Sequence, residues 1–191
     1  SRLRADGPGV SIDATASLRP DAASTVDARV LKVEGVYDGA LQLTADDRGR
    51  SVSAHGRYFD ARTMVHDLSA PGGGGGAGGG QAPAVRLDLA LDQVRVSDRA
   101  TLHNLRATGV WADPIHRRLD VSANTPAGSA ASLHLTPDAG GGLISGRITN
   151  VADAADSFVG VGGFAGGTAT VQGRLRPEGA DLVVEMRNVR L

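Results

Sequence analysis

The sequence predicts an all-β protein, mainly antiparallel, with two short helices. Three observations carry that expectation. The stretch from Val85 to Asp92 alternates strongly, with Val85, Leu87, Leu89 and Leu91 on one side and Arg86, Asp88 and Asp92 on the other. Period two over eight residues is the signature of a half-buried strand. Turn chemistry then recurs between such runs: Asp38-Gly39, Asp46-Asp47-Arg48-Gly49, Asp113-Pro114, Pro137-Asp138-Ala139-Gly140 and Pro177-Glu178-Gly179. Finally, aromatics are only 3% of the 191 residues while glycine reaches 27. Burial must therefore rest on Leu, Val, Ile and Ala, which suit extended sheets.

Taken in order, strands are expected over 10–18, 29–36, 40–44 and 51–58, where Val10-Ser-Ile-Asp-Ala-Thr-Ala-Ser-Leu18 shows the alternation best. After Val85–Leu91 the phase slips at Gln93 and resumes at Val94 and Val96, which predicts a bulge there. Further strands are expected near 101–112, 117–124, 129–136, 142–149, 167–176 and 181–190. Leu182, Val184 and Met186 share a face of the last. Short turns between consecutive strands pair them antiparallel. Residues 60–68 and 153–160 break the rhythm with helical spacing and an Asp at each start, so each is read as a helix of two or three turns. Each follows a strand with a small-Gly-Arg step, His55-Gly56-Arg57 and Ser145-Gly146-Arg147. That is a weak internal repeat.

The chain divides at residues 70–84, APGGGGGAGGGQAPA, which read as a flexible loop because glycine has maximal backbone entropy and nothing to bury. It lacks the Gly-Lys-Ser/Thr ending of a phosphate-binding loop. A β-rich segment, 1–69, precedes it and a β-meander, 85–191, follows.

Composition narrows the chemistry. A formal charge of −1 and few aromatics argue against nucleic acid as a partner. No apolar run is long enough for a transmembrane helix. Ser1-Arg-Leu-Arg4 does not read as a signal peptide, and the chain is read as a fragment. With no Cys there is no thiolate nucleophile and no disulfide framework. His55, His66, His103, His116 and His134 show no metal-ligand spacing, so no metal and no cofactor are expected. There is no Gly-x-Ser-x-Gly elbow. The run Gly160-Val-Gly-Gly-Phe-Ala-Gly-Gly167 follows a helix and precedes a strand, the reverse of a dinucleotide fingerprint. Arg86, Arg118 and Arg174 lie on the polar phase of their strands. No enzyme is expected.

What stands out is architectural. Ten or more strands share an apolar face, and two short helices cannot cover it. Either a second sheet seals it, or the sheet curls on itself, or something apolar occupies it.

Residues 141–176 carry a family resemblance. They run Leu143-Ile-Ser-Gly-Arg147, then Asp153-Ala-Ala-Asp-Ser-Phe158, then Gly162-Gly-Phe-Ala-Gly-Gly-Thr-Ala-Thr-Val-Gln-Gly-Arg174; Gly56-Arg-Tyr-Phe-Asp-Ala-Arg62 adds a strand-to-helix element. Together with residues 25–68 and 85–191 more broadly, this resembles the AsmA-like superfamily of Gram-negative envelope proteins. The motifs are short and glycine-rich, and helix 153–160 is poorer in Leu than the family's. The resemblance implies a long, curved, antiparallel sheet forming a groove with an apolar interior. It implies a periplasmic location, a tether to the inner membrane outside this chain, and phospholipid transport towards the outer membrane. It carries over no catalytic residues. On that reading phospholipid acyl chains contact Leu87, Leu89, Leu91, Leu133, Leu135, Val171, Leu182 and Val184, headgroups stay near water, and flanking regions of the same protein complete the sheet. The alternative is a structural or protein-interaction module of the envelope, a β-sandwich or solenoid with sealed faces.

Overall fold

The structure, a computed structural model, describes residues 1–19, 23–47, 49–63, 84–111, 117–138, 141–156, 162–163, 165–176 and 179–190. Twelve strands form one sheet whose spatial order is the sequence order. They are β1 (Arg2–Gly7), β2 (Val10–Ser17), β3 (Ser24–Val33), β4 (Tyr37–Asp46), β5 (Gly49–Asp60), β6 (Val85–Arg95), β7 (Thr101–Trp111), β8 (Arg117–Asn124), β9 (Ala130–Asp138), β10 (Gly141–Ile148), β11 (Thr168–Arg176) and β12 (Gly179–Arg187). The order is linear rather than cyclic, so the sheet is open, with β1 and β12 at its edges. A short helix, α1 (Val151–Ala154), joins β10 to β11 and is capped by the Asn150 side chain, which accepts from the Asp153 amide.

Every neighbouring pair is antiparallel except one. β5 and β6 run parallel, with Arg50 opposite Val85 and Asp60 opposite Arg95. Turns between Asp46 and Gly49, Asp138 and Gly141, and Arg176 and Gly179 fall where the sequence places them, and at the first Asp46 Oδ1 accepts from the Gly49 amide at 3.0 Å. Asp38-Gly39 is not a turn but lies inside β4; the chain turns at 34–36, where Gly35 takes the left-handed position with φ 71°, so β3 ends at Val33 rather than at residue 36. The parallel pair follows from the long connection at residues 61–84, since parallel neighbours need a crossover rather than a hairpin. Most of that connection, including the glycine-rich run and 64–68 of the first expected helix, lies outside the described residues, as do Asp113-Pro114, His66 and His116.

Several expectations shift. β1 was not anticipated, because Arg2 and Arg4 disguise its short alternation. β3 begins at Ser24 instead of residue 29, since a register shift between Ala28 and Leu31 breaks its pattern. The second helix begins at Val151 rather than Asp153, and 157–160 of its expected span lie outside the described residues.

The phase slip at Gln93 is shared by three strands. Pairing among β5, β6 and β7 passes over Arg57, Asp92 and Asn104 without changing register. Each outer neighbour registers the extra residue instead, between Asp38 and Gly39 and between His103 and Arg106. Asn104 adopts a left-handed φ of 51°, a conformation that asparagine tolerates better than most residues. The slip turns Val94 to the side of Leu91, so the two, three residues apart, share a core cluster with Ala61. Tyr37, Phe59, Val96, Leu102 and Leu105 pack around it, and the Tyr37 and Phe59 rings meet edge-on at 6.2 Å.

This cluster marks one end of the strands, the closed rim. Two elements sit there. Ala61 donates to the Arg95 carbonyl, and Arg62 joins Asp60 to Asp98 across the β6–β7 turn. α1 is held by amides of Val151 and Ala152 donating to Gly167 and Gly166, and by buried Thr125, whose hydroxyl donates to Asp153. The opposite ends of the strands form the open rim.

Candidate functional site: an apolar face across twelve strands

Register decides which side chains share a face, because directly opposed residues project to the same side. Following opposed partners through the sheet gives one central row: Leu3, Ala14, Ala28, Leu41, Ala54, Leu89, Ala107, Val121, Leu133, Gly146, Val171 and Val184. One residue comes from each strand, and every one is apolar. Two positions towards the open rim, a second row runs Ala16, Val26, Leu43, Val52, Leu87, Gly109, Leu119, Leu135, Ile144, Gly173 and Leu182. It too is wholly apolar. Between them lies the other face: Arg2, Thr15, Asp27, Gln42, Ser53, Asp88, Thr108, Asp120, His134, Ser145, Gln172 and Val183. All but the last are polar. Twelve strands therefore build one sheet with a wet side and an oily side.

The eight residues singled out from the sequence all fall on the oily side. Leu89, Leu133, Val171 and Val184 lie in the central row, and Leu87, Leu135 and Leu182 in the second. Leu91 stands opposite Gly56 and Leu105 in a third, nearer the closed rim. Their accessibility differs. Leu133, Leu182 and Val184 are 41%, 51% and 51% exposed, whereas Leu91 and Leu135 are 2% and 6% exposed. Leu91 is sealed in the closed-rim cluster. Leu135 is floor.

Sequence reading missed half of this surface: Leu41, Leu119, Val121, Ile144 and the small residues between them. The small residues are part of the design. Leu119 leans towards Gly109, Leu135 over Gly142 and Leu182 over Gly173, so large side chains cover glycines on the next strand. That interdigitation buries Leu135 without a second layer.

No second sheet lies on this face, because all twelve described strands belong to the one sheet. The described elements off the sheet are few and sit at the closed rim. Exposed Leu3, Leu43, Leu133, Leu182, Val184 and Met186 show that the face is open to solvent. At 60%, Met186 is as accessible as a surface residue.

The polar face offers little chemistry. His55 Nε2 lies 3.4 Å from Ser53 Oγ and 3.5 Å from Asp88 Oδ2. A catalytic triad needs nucleophile and orienting acid on opposite ring nitrogens of the histidine base, and here Ser53 and Asp88 meet the same one. His134 Nδ1 lies 2.8 Å from Asp120 Oδ1, with both side chains about half exposed. Among the described residues no cluster of His, Asp or Glu has the makings of a metal site, and no helix is long and apolar enough to cross a membrane. Arg86, Arg118 and Arg174 lie on this face, as their phase predicts, and Arg174 pairs with Asp138 at 2.9 Å. At the closed rim, hydrogen bonding from Arg62 holds the Asp60 carboxyl below the usual carboxylate range, and Asp60 and Asp98 keep the Arg62 guanidinium firmly charged.

Comparison with known proteins found no matching family model, no matching curated protein and no matching solved structure.

Proposed function

We propose that this chain is a lipid-binding module of an AsmA-like β-groove that conducts phospholipid between inner and outer membranes. One observation supports the reading: an apolar row unbroken from Leu3 to Val184, on a face that no second layer covers among the described residues. Acyl chains lying on Leu87, Leu89, Leu133, Leu182 and Val184 gain free energy from area burial alone. At ~25 cal/mol per Å2, a few hundred Å2 of contact gives several kcal/mol. Burial of that kind has no fixed register, so a chain is held yet slides from strand to strand. The linear strand order supports the same idea, since flanking regions can add strands at either edge. No catalytic role, metal or cofactor enters this reading, and the location it implies is the periplasm, with the inner-membrane tether outside this chain.

A second reading has its own support. β12 is exposed throughout and carries Leu182, Val183 and Val184 in succession, so it presents a bare edge with apolar side chains on both faces. A structural module that pairs with another protein's strand would use that edge.

Native mass spectrometry on the purified chain, wild type and Leu89→Arg, separates the two. The groove reading predicts co-purified phospholipid on the wild type and markedly less on a folded variant. A wild type free of lipid, and unable to take it from vesicles, would leave the interaction module as the better account.

A further inference from the structure

Beyond the second row, towards the open rim, the next register row changes character. It reads Ala45, Arg50, Val85, Trp111 and Arg117 across β4 to β8. It continues as Pro137, Gly142, Leu175 and Ala180 over β9 to β12. Arg50 keeps the phase of Val52, and Arg117 that of Leu119. In this row and the two apolar rows behind it, these are the sole charged positions. Both are cationic and both lie at the open rim. Three acids of the same rim stand on the polar face and are engaged there: Asp46 with the Gly49 amide, Asp138 with Arg174 and Asp181 with Arg176. Three strand spacings separate the two arginines, about 14 Å at ~4.8 Å each. In register the two positions flank Val85 and Trp111, one on each side.

The other end of the face is shut by the Ala61, Leu91 and Val94 cluster. From Val85 to Leu91 is six residues, about 20 Å at ~3.3 Å per residue. A single leaflet's hydrocarbon is about 15 Å deep. One acyl chain therefore fits along a strand, between a cationic rim and a sealed apolar one.

We infer that the face binds its ligand with a fixed polarity: an oxyanionic headgroup, phosphate or carboxylate, at Arg50 and Arg117, and the tail directed towards Leu91. This rests on the lipid-groove reading and adds headgroup charge and orientation to it. Arginine suits the task, since its planar donors match phosphate and carboxylate oxygens.

Titration calorimetry with chain-matched amphiphiles below their critical concentrations tests it: dodecyl phosphate, dodecanoate, dodecyltrimethylammonium and dodecyl maltoside. The expected result is that both anions bind about tenfold more tightly than the cation, the margin two partly screened contacts supply, and that the margin shrinks with added salt. Phosphate against carboxylate then ranks the two headgroup chemistries. Arg50→Gln with Arg117→Gln should bring the ratio near one while leaving the maltoside affinity in place. Arg50→Gln alone, should the double variant fold poorly, should lower the ratio part of the way. Arg86→Gln with Arg118→Gln, on the polar face, should leave it unchanged. Equal binding of anion and cation, or a ratio that survives loss of Arg50 and Arg117, overturns the inference while the groove reading stands. Failure of all four probes to bind overturns the groove reading itself.

Discussion

Leu135 lies across Gly142 on the neighbouring strand so closely that a Cβ added to the glycine would stand 2.7 Å from Leu135 Cδ1. The pair shows how a single sheet keeps a leucine 6% exposed with no opposing layer. It also shows that glycine in these strands serves packing as well as turns. A sheet that buries its own side chains laterally can leave its face open and remain ordered.

The glycines should not be equivalent. At Gly142 the obstacle is a side-chain tip that has some room to turn. At Gly173 a Cβ would stand 2.0 Å from the Asp181 carbonyl oxygen, which is backbone. Gly173→Ala should push β12 away, and Gly142→Ala should cost about 1–2 kcal/mol with the sheet intact. Hydrogen exchange at the Asp181 and Val183 amides, which face β11, checks this. Rapid exchange is expected in Gly173→Ala alone.

Position on the face sets the cost of a charge. Leu91→Arg should unfold the chain or cost about 3 kcal/mol or more, because Leu91 is sealed in the closed-rim cluster. Leu89→Arg and Leu133→Arg should cost about 1 kcal/mol or less, since an arginine on an open face keeps its head in water. Chemical denaturation measures both. A collapse of Leu89→Arg would mean that its row is covered.

The α1 anchor is a buried hydroxyl. Thr125 donates to Asp153 and accepts from the Ser129 amide at 3.0 Å. Thr125→Val keeps the shape and strips that amide of its acceptor, at a cost of about 1–3 kcal/mol. Thr125→Ser should recover most of it. Thermal melts of the two variants make the comparison.

Acid should loosen the closed rim. Hydrogen bonding from Arg62 holds the folded-state pKa of Asp60 below its unfolded value of about 3.9. A depressed carboxylate stabilises above the unfolded value, and the contribution fades as pH falls through the folded one. The stability gap between wild type and Asp60→Asn should be constant above about pH 5 and close below about pH 4. Denaturation midpoints across that range test the sign; a gap widening in acid would contradict it.

Much of the sheet is legible in the sequence, and the reasons are local. Val85 to Leu91 alternate without interruption, and Pro137 to Gly140 announce a turn, so β6 and the β9–β10 hairpin follow from period and turn chemistry alone. The parallel β5–β6 pair does not, because its cause is a connection without periodicity. Nor is the phase slip at Arg57, Asp92 and Asn104 visible except on β6, where Gln93 breaks a clean run. The face itself is half legible. Leu87, Leu89 and Leu91 declare an apolar side, yet the same letters serve a sealed sandwich and an open groove. Arg50 and Arg117 carry no signal of their own in the sequence, for a related cause. They sit in the apolar phase at the ends of their strands, where a charged residue breaks the alternation instead of extending it.

The parallel pair revises the role of the glycine-rich connection. Its ends, beside Asp60 and Val85, lie at opposite rims, about 33 Å apart at ~3.3 Å per strand residue. Deleting residues 72–80 should be nearly neutral, within about 1 kcal/mol, because the remainder still spans that distance. Replacing 64–83 with a four-residue Gly-Ser loop should disrupt β5–β6 pairing, since too little chain is left. Circular dichroism with thermal melts of both variants distinguishes slack from span.

The account turns on which face meets lipid, and photo-crosslinking reads this most directly. A benzophenone side chain is placed singly at Leu89, Leu133 and Val184, and at Asp88, Ser132 and Glu185, each the immediate neighbour of one of the first three and on the opposite face. After incubation with phospholipid vesicles and illumination, lipid adducts are expected at the first three positions and not at the second. Adducts on both faces alike, or on neither, would contradict the groove.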